Sequence, residues 1–197
     1  MGSIHLKNHN ITFIHIPKNG GSSVRAALRN VPGAEFMPLN GRDINIKHPD
    51  IDTTRNHFGD LGWTFCVVRN PYDRIVSMWR QIRRVTNYTG DLNHFILEHA
   101  DYNTFMKPQS KWFNHGEIDF IIRFENLCND WETIRKKIKC GKLPHKNRSS
   151  RAKWIILEDY SWTKETKKVV QEKFKEDFKR FEYNPNQLGT YSKEEKA

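Results

Sequence analysis

A chain of 197 residues with 37% hydrophobic and 12% aromatic residues can bury a core, which excludes a disordered segment. It has no apolar run near the roughly 20 residues of a membrane span and no apolar signal segment, so we expect a cytoplasmic protein. A formal net charge of +10 favours anionic partners such as polysaccharides, nucleic acids or phosphorylated nucleotides. The three cysteines are widely spaced, and no metal site is expected.

Short apolar runs, typical of buried parallel strands, alternate with segments whose apolar residues have helical spacing. The predicted strands are Ile11–Ile16, Asp43–Lys47, Trp63–Val68 and Asp119–Phe124. The predicted helices are Ser22–Arg29, one or two turns within Asp50–Asp60, Pro71–Val85, Leu92–Ala100, Trp131–Ile138 and Thr163–Phe181. The predicted loops are Pro32–Gly41 and Gly141–Arg151. This alternation predicts an α/β fold with a central, mainly parallel sheet flanked by helices.

The chain shows no internal boundary. It contains no linker, internal repeat or low-complexity segment. We therefore predict a single domain over residues 1–183, followed by a polar C-terminal tail over residues 184–197.

The first candidate site lies between a predicted strand and a predicted helix. The apolar run stops at a proline, and the loop that follows consists of Pro17, Lys18, Asn19, Gly20, Gly21, Ser22 and Ser23. Such a loop directs main-chain N–H groups and the positive end of a helix dipole towards an anion. Its lysine precedes the glycines, unlike the GxxxxGK[ST] order of triphosphate-binding loops, which disfavours a nucleotide kinase. The alternative is a glycine turn with a solvated lysine.

The second candidate site begins where the strand Trp63–Val68 ends. Arg69 follows that strand directly, and Ser77 lies eight residues later on the predicted helix. Because ligands of open α/β sheets lie outside the carboxyl ends of the strands, we expect Arg69 at the same sheet edge as Lys18. An arginine and a hydroxyl can bind one phosphate together. The alternative is an arginine that caps the sheet and a serine packed on a helix.

Together the two motifs resemble the sulfotransferases that use 3′-phosphoadenosine-5′-phosphosulfate (PAPS), in particular the family 2-like carbohydrate branch. The sequence RNPYDRIVS over Arg69–Ser77 matches a signature of that family closely. Weaker similarities are Phe120–Leu127, the PHxNxS-like Pro144–Ser149 and Asp177–Tyr183, so the resemblance extends from Ile11 to Tyr183. It implies a P-loop-like, three-layer fold.

The resemblance also implies the roles of individual residues. The loop Pro17–Ser23 would hold the 5′-phosphosulfate, and Lys18 would stabilise the departing phosphate of adenosine 3′,5′-bisphosphate. Arg69 and Ser77 would hold the 3′-phosphate. Further cofactor contacts are expected from Asn147, Arg148 and Ser149.

A histidine is expected to be the general base for the acceptor hydroxyl, because its pKa lies near neutrality. His48 ends the predicted strand Asp43–Lys47 between the two motifs, and it is preferred. His57, twelve residues before Arg69, is the alternative, and another residue such as a carboxylate is the third candidate. Gln109, Lys111 and Trp112 follow a proline and could line the acceptor cleft, although a core role for the tryptophan is equally compatible with the sequence.

The sequence therefore predicts in-line sulfuryl transfer from PAPS to an acceptor hydroxyl. The acceptor is expected to be a carbohydrate, either neutral or anionic, and nucleic acid is not expected as a partner. Two rival interpretations remain. One is a small-molecule alcohol or phenol as acceptor, and the other is a basic nucleic-acid or polyanion binder without catalysis.

Overall fold

A computed structural model describes residues 2–38, 48–100, 106–144 and 161–189 of the chain. By its internal contacts the chain divides into two compact units. The first unit comprises Met1–Val68 and Lys111–Arg148, and the second comprises Arg69–Ser110 and Ser149–Ala197.

The first unit contains a five-stranded sheet in the order β3-β1-β2-β4-β5. The strands are β1 (Ile4–Leu6), β2 (Ile11–Ile14), β3 (Ala34–Phe36), β4 (Trp63–Val68) and β5 (Phe120–Arg123). Strands β2, β4 and β5 pair in parallel, whereas β1 is antiparallel to both of its neighbours, β2 and β3. Four of the five strands therefore point in one direction, which confirms the predicted α/β fold with a mainly parallel sheet.

Three helices accompany the sheet in the described part of this unit: α1 (Gly21–Leu28), α2 (Ile51–Phe58) and α5 (Leu127–Ile138). Their apolar residues join those of the strands in one buried cluster, which includes Phe13, Val24, Phe65 and Trp131. Helix α2 starts at a defined cap, because the Asp50 carboxylate accepts a hydrogen bond of 3.0 Å from the Thr53 amide. This cap fixes the direction of the chain just after His48.

The described part of the second unit contains the helices α3 (Pro71–Thr86), α4 (Leu92–His99), α6 (Lys164–Lys173) and α7 (Lys175–Arg180). Helix α3 begins with Pro71 at its first turn, and the Asn70 side chain accepts from the Tyr72 amide at 2.9 Å. The apolar faces of these helices form a second buried cluster, which includes Tyr72, Trp79, Trp162 and Phe178. The segment that starts at Arg69 is thus held by its own core.

Several sequence predictions differ from the structure. Residues 34–36 of the predicted loop form β3, which pairs with β1, a three-residue strand that the apolar pattern did not reveal. The predicted single helix Thr163–Phe181 is two helices, because Phe174 leaves helical geometry at φ −104° and ψ 19°. The apolar stripe continues across the break, so the spacing of apolar residues does not reveal that one residue, Phe174, is not helical. Helix α5 starts at Leu127, four residues before the predicted start at Trp131, and the predicted strand Asp43–Lys47 lies outside the described residues.

Candidate active site

The loop after β2 is a tight turn that leads directly into a helix. Strand β2 ends at Ile14, and α1 begins at Gly21 with Gly20 as its N-cap. The Ser23 amide donates to the Gly20 carbonyl at 2.9 Å, while Ser22 and Ser23 lie half-buried in the first turn. The structure therefore has the predicted order of strand, loop and helix N-terminus, with the main-chain donors that such a terminus offers.

Two residues of this loop have left-handed backbone conformations. Gly20 has φ +79°, and Lys18 has φ +74°. Glycine adopts this region without steric cost, whereas a residue with a Cβ loses roughly 1–2 kcal/mol there. A non-glycine residue held in this region is a feature that clusters at ligand sites.

Asn19 anchors the loop to the neighbouring parallel strand. Its side-chain Nδ2 donates to the Val67 carbonyl in β4 at 2.7 Å, and Asn19 is fully buried. The flanking residues Lys18 and Gly20 are half-buried. Asn19 therefore fixes the middle of the loop, and Lys18 and Gly20 on either side of it remain partly exposed.

Gly21 is required by the packing of the loop. A methyl group placed on its Cα would overlap the imidazole of His15. His15 follows β2 directly and is only 2% exposed, so its ring has little room to move away. The helix N-terminus can approach the end of β2 this closely because position 21 has no side chain.

His15 also contacts His48, the preferred base. The ring centroids of the two imidazoles are 4.8 Å apart, and the ring planes are inclined by 66°. Trp112 is buried and its Nε1 donates to the main-chain oxygen of His48 at 3.3 Å. His48 thus lies beside the residue that packs against the loop.

His57, the alternative base, has different surroundings. It is exposed in the last turn of α2, and its ring packs edge-on against that of Phe58 at 4.6 Å between centroids. The structure therefore brings His48 together with the loop through His15, whereas among the described residues His57 shows no such connection.

Arg69 lies in the second unit and is 4% exposed. Its main chain is paired with the side-chain amide of Gln109. The Arg69 amide donates to Gln109 Oε1 at 2.9 Å, and Gln109 Nε2 donates to the Arg69 carbonyl at 2.8 Å. Gln109 is fully buried. The strand pairing of β4 ends at Val68, and at the next residue, Arg69, the side chain of Gln109 takes the place of a strand partner.

A buried carboxylate holds Gln109. Asp177 of α7 accepts from the Gln109 amide at 2.7 Å and from the Ser110 amide at 2.8 Å. It is fully buried and also lies 3.3 Å from Gln109 Nε2. These bonds satisfy the first N–H groups of the 3₁₀ helix Gln109–Trp112.

Arg74 adds a second buried guanidinium to this region. Burial lowers its pKa to about 10, an effect that Asp177 opposes and that Arg69 reinforces. Arg74 therefore keeps its charge at neutral pH, and its Nη1 donates to the Lys107 carbonyl at 2.9 Å. Ser77 lies half-buried on α3, eight residues after Arg69.

The sequence did not point to every residue of these arrangements. His15 was not singled out, although a histidine between a buried strand and a glycine loop is an available signal. Asp177 was noted only as the start of the similarity Asp177–Tyr183, with no site role, although its acidic side chain interrupts the apolar stripe of Phe174 and Phe178. The candidates Asn147, Arg148 and Ser149 lie outside the described residues.

Two negative findings apply to residues 2–38, 48–100, 106–144 and 161–189 alone. In these ranges there is no cluster of three or more His, Cys, Asp or Glu side chains arranged to hold a metal ion. In the same ranges, the helices are too short or too polar to cross a membrane.

Comparison with known proteins identifies the family. Residues 3–184 match the model of the sulfotransferase family. The corresponding comparisons with curated proteins and with solved structures found no match. Because the family match covers nearly the whole chain and agrees with both motifs, this protein belongs to the sulfotransferase family.

Proposed function

We propose that the protein transfers the sulfuryl group of PAPS to a hydroxyl of a carbohydrate. Family membership establishes sulfuryl transfer as the kind of reaction. The observation that carries the assignment of the PAPS site is the loop at the carboxyl end of β2, where Gly21, at the start of α1, packs against His15 and His15 contacts His48.

The residues of the loop fit an anionic donor group. The N-terminus of α1 offers main-chain N–H groups, and the absence of a side chain at Gly21 keeps this terminus close to the strand. Lys18 adds a positive charge, and the hydroxyls of Ser22 and Ser23 add short donors. We assign the 5′-phosphosulfate to these residues, together with Pro17 and Asn19, which shape the turn.

Lys18 is proposed as the charge that stabilises the leaving phosphate. When bound, PAPS supplies an activated sulfuryl group on a phosphate leaving group. The bond from sulfur to the phosphate oxygen breaks while a bond from sulfur to the acceptor oxygen forms, so negative charge grows on the phosphate. A preorganised ammonium group favours that change more than it favours the ground state.

His48 is proposed as the base that receives the proton of the acceptor hydroxyl. Its support is the contact with His15, which in turn packs against Gly21 of the loop. His57 remains the alternative. A neutral imidazole is suited to this role near neutral pH.

The 3′-phosphate is assigned to Arg69 and Ser77. This assignment rests on the RNPYDRIVS signature, in which Arg69 follows β4 directly and Ser77 lies eight residues later on α3. Asn147, Arg148 and Ser149 are proposed as further contacts on the resemblance alone. The product that leaves is adenosine 3′,5′-bisphosphate.

The carbohydrate acceptor is supported by the family branch that the motifs resemble and by the net charge of +10. A basic surface attracts anionic polysaccharides. A small alcohol or phenol as acceptor is the competing possibility, and the experiment below separates the two.

The test is a transfer assay with sulfur-labelled PAPS and a panel of acceptors. The panel contains neutral and anionic polysaccharides, glycolipids and simple phenols. Label on a carbohydrate supports the proposal, and label on phenols alone overturns the carbohydrate assignment. No label on any acceptor, combined with no release of adenosine 3′,5′-bisphosphate, would count against PAPS as the donor.

The assignment of the base is tested with a matched pair of variants in the same assay. His48→Ala should lose transfer by about 100-fold or more, the usual contribution of a general base, while binding of adenosine 3′,5′-bisphosphate is kept. His57→Ala should stay close to the original rate. The opposite result would move the role to His57.

A further inference from the structure

We propose that Gln109 and Asp177 are positioning residues that set the protein's selectivity for a 3′-phosphorylated nucleotide by fixing Arg69. This inference rests on the proposed role of Arg69 in binding the 3′-phosphate. It assigns no contact with the nucleotide to Gln109 or Asp177 themselves.

Gln109 pairs with the main chain of Arg69. One side-chain amide makes both a donor and an acceptor bond, at 2.8 Å and 2.9 Å, with the two polar main-chain groups of a single residue. Arg69 lies between the end of β4 and the Asn70 cap of α3, where neither strand nor helix bonding restrains its backbone. Gln109 therefore supplies the restraint that secondary structure does not.

Gln109 is itself restrained by Asp177. The Asp177 carboxylate accepts from the main-chain amides of Gln109 and Ser110, and it lies within 3.3 Å of the Gln109 side chain. Asp177 belongs to a helix whose next residue, Phe178, is part of the buried cluster of this unit. The position of Arg69 is thus fixed through two side chains by the core.

Arg69 also lies near other buried charged groups. Arg69 and Asp177 both act on the buried Arg74 guanidinium, one lowering and one raising its pKa. Two guanidinium groups and one carboxylate therefore lie within electrostatic range of one another in one buried region. Guanidinium groups bind a phosphate more strongly than they bind a neutral hydroxyl.

The consequence is a difference between two nucleotides that differ only at the 3′ position. Adenosine 3′,5′-bisphosphate presents the 3′-phosphate, and adenosine 5′-monophosphate presents a hydroxyl there. A misplaced Arg69 should weaken binding of the first and leave the second nearly unchanged. General damage to the fold would lower the affinity for both nucleotides.

The experiment measures the affinity of both nucleotides by calorimetry for Gln109→Met and for Ser110→Ala. Gln109→Met keeps the length of the side chain and removes both bonds to Arg69. We expect it to lower the affinity for adenosine 3′,5′-bisphosphate by about tenfold or more, because a binding group is misplaced. The affinity for adenosine 5′-monophosphate should fall by less than about twofold. Gln109→Asn keeps an amide but is one methylene too short, and it should behave in the same way.

Ser110→Ala is the matched control. It changes the neighbouring residue of the same 3₁₀ helix and removes a buried hydroxyl that makes no hydrogen bond to the described residues. The main-chain bond from residue 110 to Asp177 is kept. The ratio of the two affinities should therefore equal that of the original protein.

The variant Arg69→Ala separates failure of this inference from failure of the proposed function. If Arg69→Ala loses selectivity and both Gln109 variants keep it, the positioning role is wrong while the role of Arg69 stands. If Arg69→Ala also keeps the ratio, the assignment of the 3′-phosphate to Arg69 is wrong.

A second measurement uses the unmodified protein and so does not depend on whether a variant folds. Amide hydrogen exchange at Arg69, Gln109 and Ser110 reports the bonds that form this network. Adenosine 3′,5′-bisphosphate should slow exchange at these amides more than adenosine 5′-monophosphate does at equal saturation. Equal protection by both nucleotides would contradict the inference.

Discussion

The Asn19 side chain donates a hydrogen bond of 2.7 Å to the main-chain oxygen of Val67, which joins the candidate phosphate-binding loop to the adjacent parallel strand. Asn19 is fully buried, and Val67 is 1% exposed. This bond ties the middle of the loop to the interior of the sheet. It restrains a turn in which Lys18 and Gly20 have left-handed backbones.

Asn19→Ala should reduce both stability and nucleotide affinity. The Val67 carbonyl would lose its partner in a buried position, and such a loss costs about 1–3 kcal/mol of unfolding free energy. Denaturant unfolding measures this change. Asn56→Ala, an exposed position on α2, is the control and should change stability by less than about 0.5 kcal/mol. Equal stability of the two variants would contradict the anchoring role of Asn19.

Lys18→Gly and Lys18→Ala should differ in stability but not in function. Both variants lose the ammonium group, so both should lose transfer and bind adenosine 3′,5′-bisphosphate weakly. At φ +74° glycine is unstrained, so Lys18→Gly should be more stable than Lys18→Ala by about 1 kcal/mol. Urea unfolding checks the order, and a less stable glycine variant would contradict the left-handed conformation.

Gly21→Ala should disrupt the loop, and removal of the His15 ring should relieve the damage. The new methyl group would overlap that ring, which is buried and cannot swing into solvent. Overpacking of this kind typically costs about 1–3 kcal/mol. In a double-mutant cycle, Gly21→Ala should cost clearly less in the His15→Ala background than in the original protein. Additive effects would contradict the packing of His15 on Gly21.

The stability of the first unit should fall as the pH drops below about 6.5. The pKa of His5 lies below its ordinary value because burial disfavours the charged ring, with Glu35 and Asp60 partly opposing this effect. The unfolded chain therefore binds more protons than the native state between 6.5 and the native pKa, so stability is kept above this window and lost within it.

His5→Gln tests this pH dependence. Glutamine does not titrate, and its amide can still donate to Thr12, whose hydroxyl lies 2.9 Å from His5 Nδ1 in the native protein. The variant should lose less unfolding free energy than the original protein on going from pH 7 to pH 5. Parallel curves for the two proteins would remove His5 as a cause.

Long apolar runs made parts of the fold predictable. Strand β4 was predicted with its observed bounds, Trp63–Val68, because five of its six residues are apolar, which leaves little ambiguity. Strands β1 and β3 have three residues each, and they are held by pairing, β1 with β2 and β3 with β1. Such pairing is a tertiary property, and a three-residue pattern does not specify it.

The candidate site was predictable where it is local in sequence and not where it is assembled from distant residues. The loop at Lys18 and the Arg69–Ser77 motif could be read from consecutive residues. The contact of His15 with His48 joins segments 33 positions apart. The bonds of Gln109 to Arg69 and to Asp177 span 40 and 68 positions. Spacing along a helix or strand carries no information about such contacts.

The central claim is that the loop around Lys18 binds the phosphosulfate end of PAPS. The most direct test is calorimetric titration of the unmodified protein and of Lys18→Ala with adenosine 3′,5′-bisphosphate. We predict binding by the unmodified protein and a loss of affinity of about tenfold or more in the variant, as expected for a charge-assisted bond to phosphate. Equal affinities, or no binding by the unmodified protein, would contradict the claim.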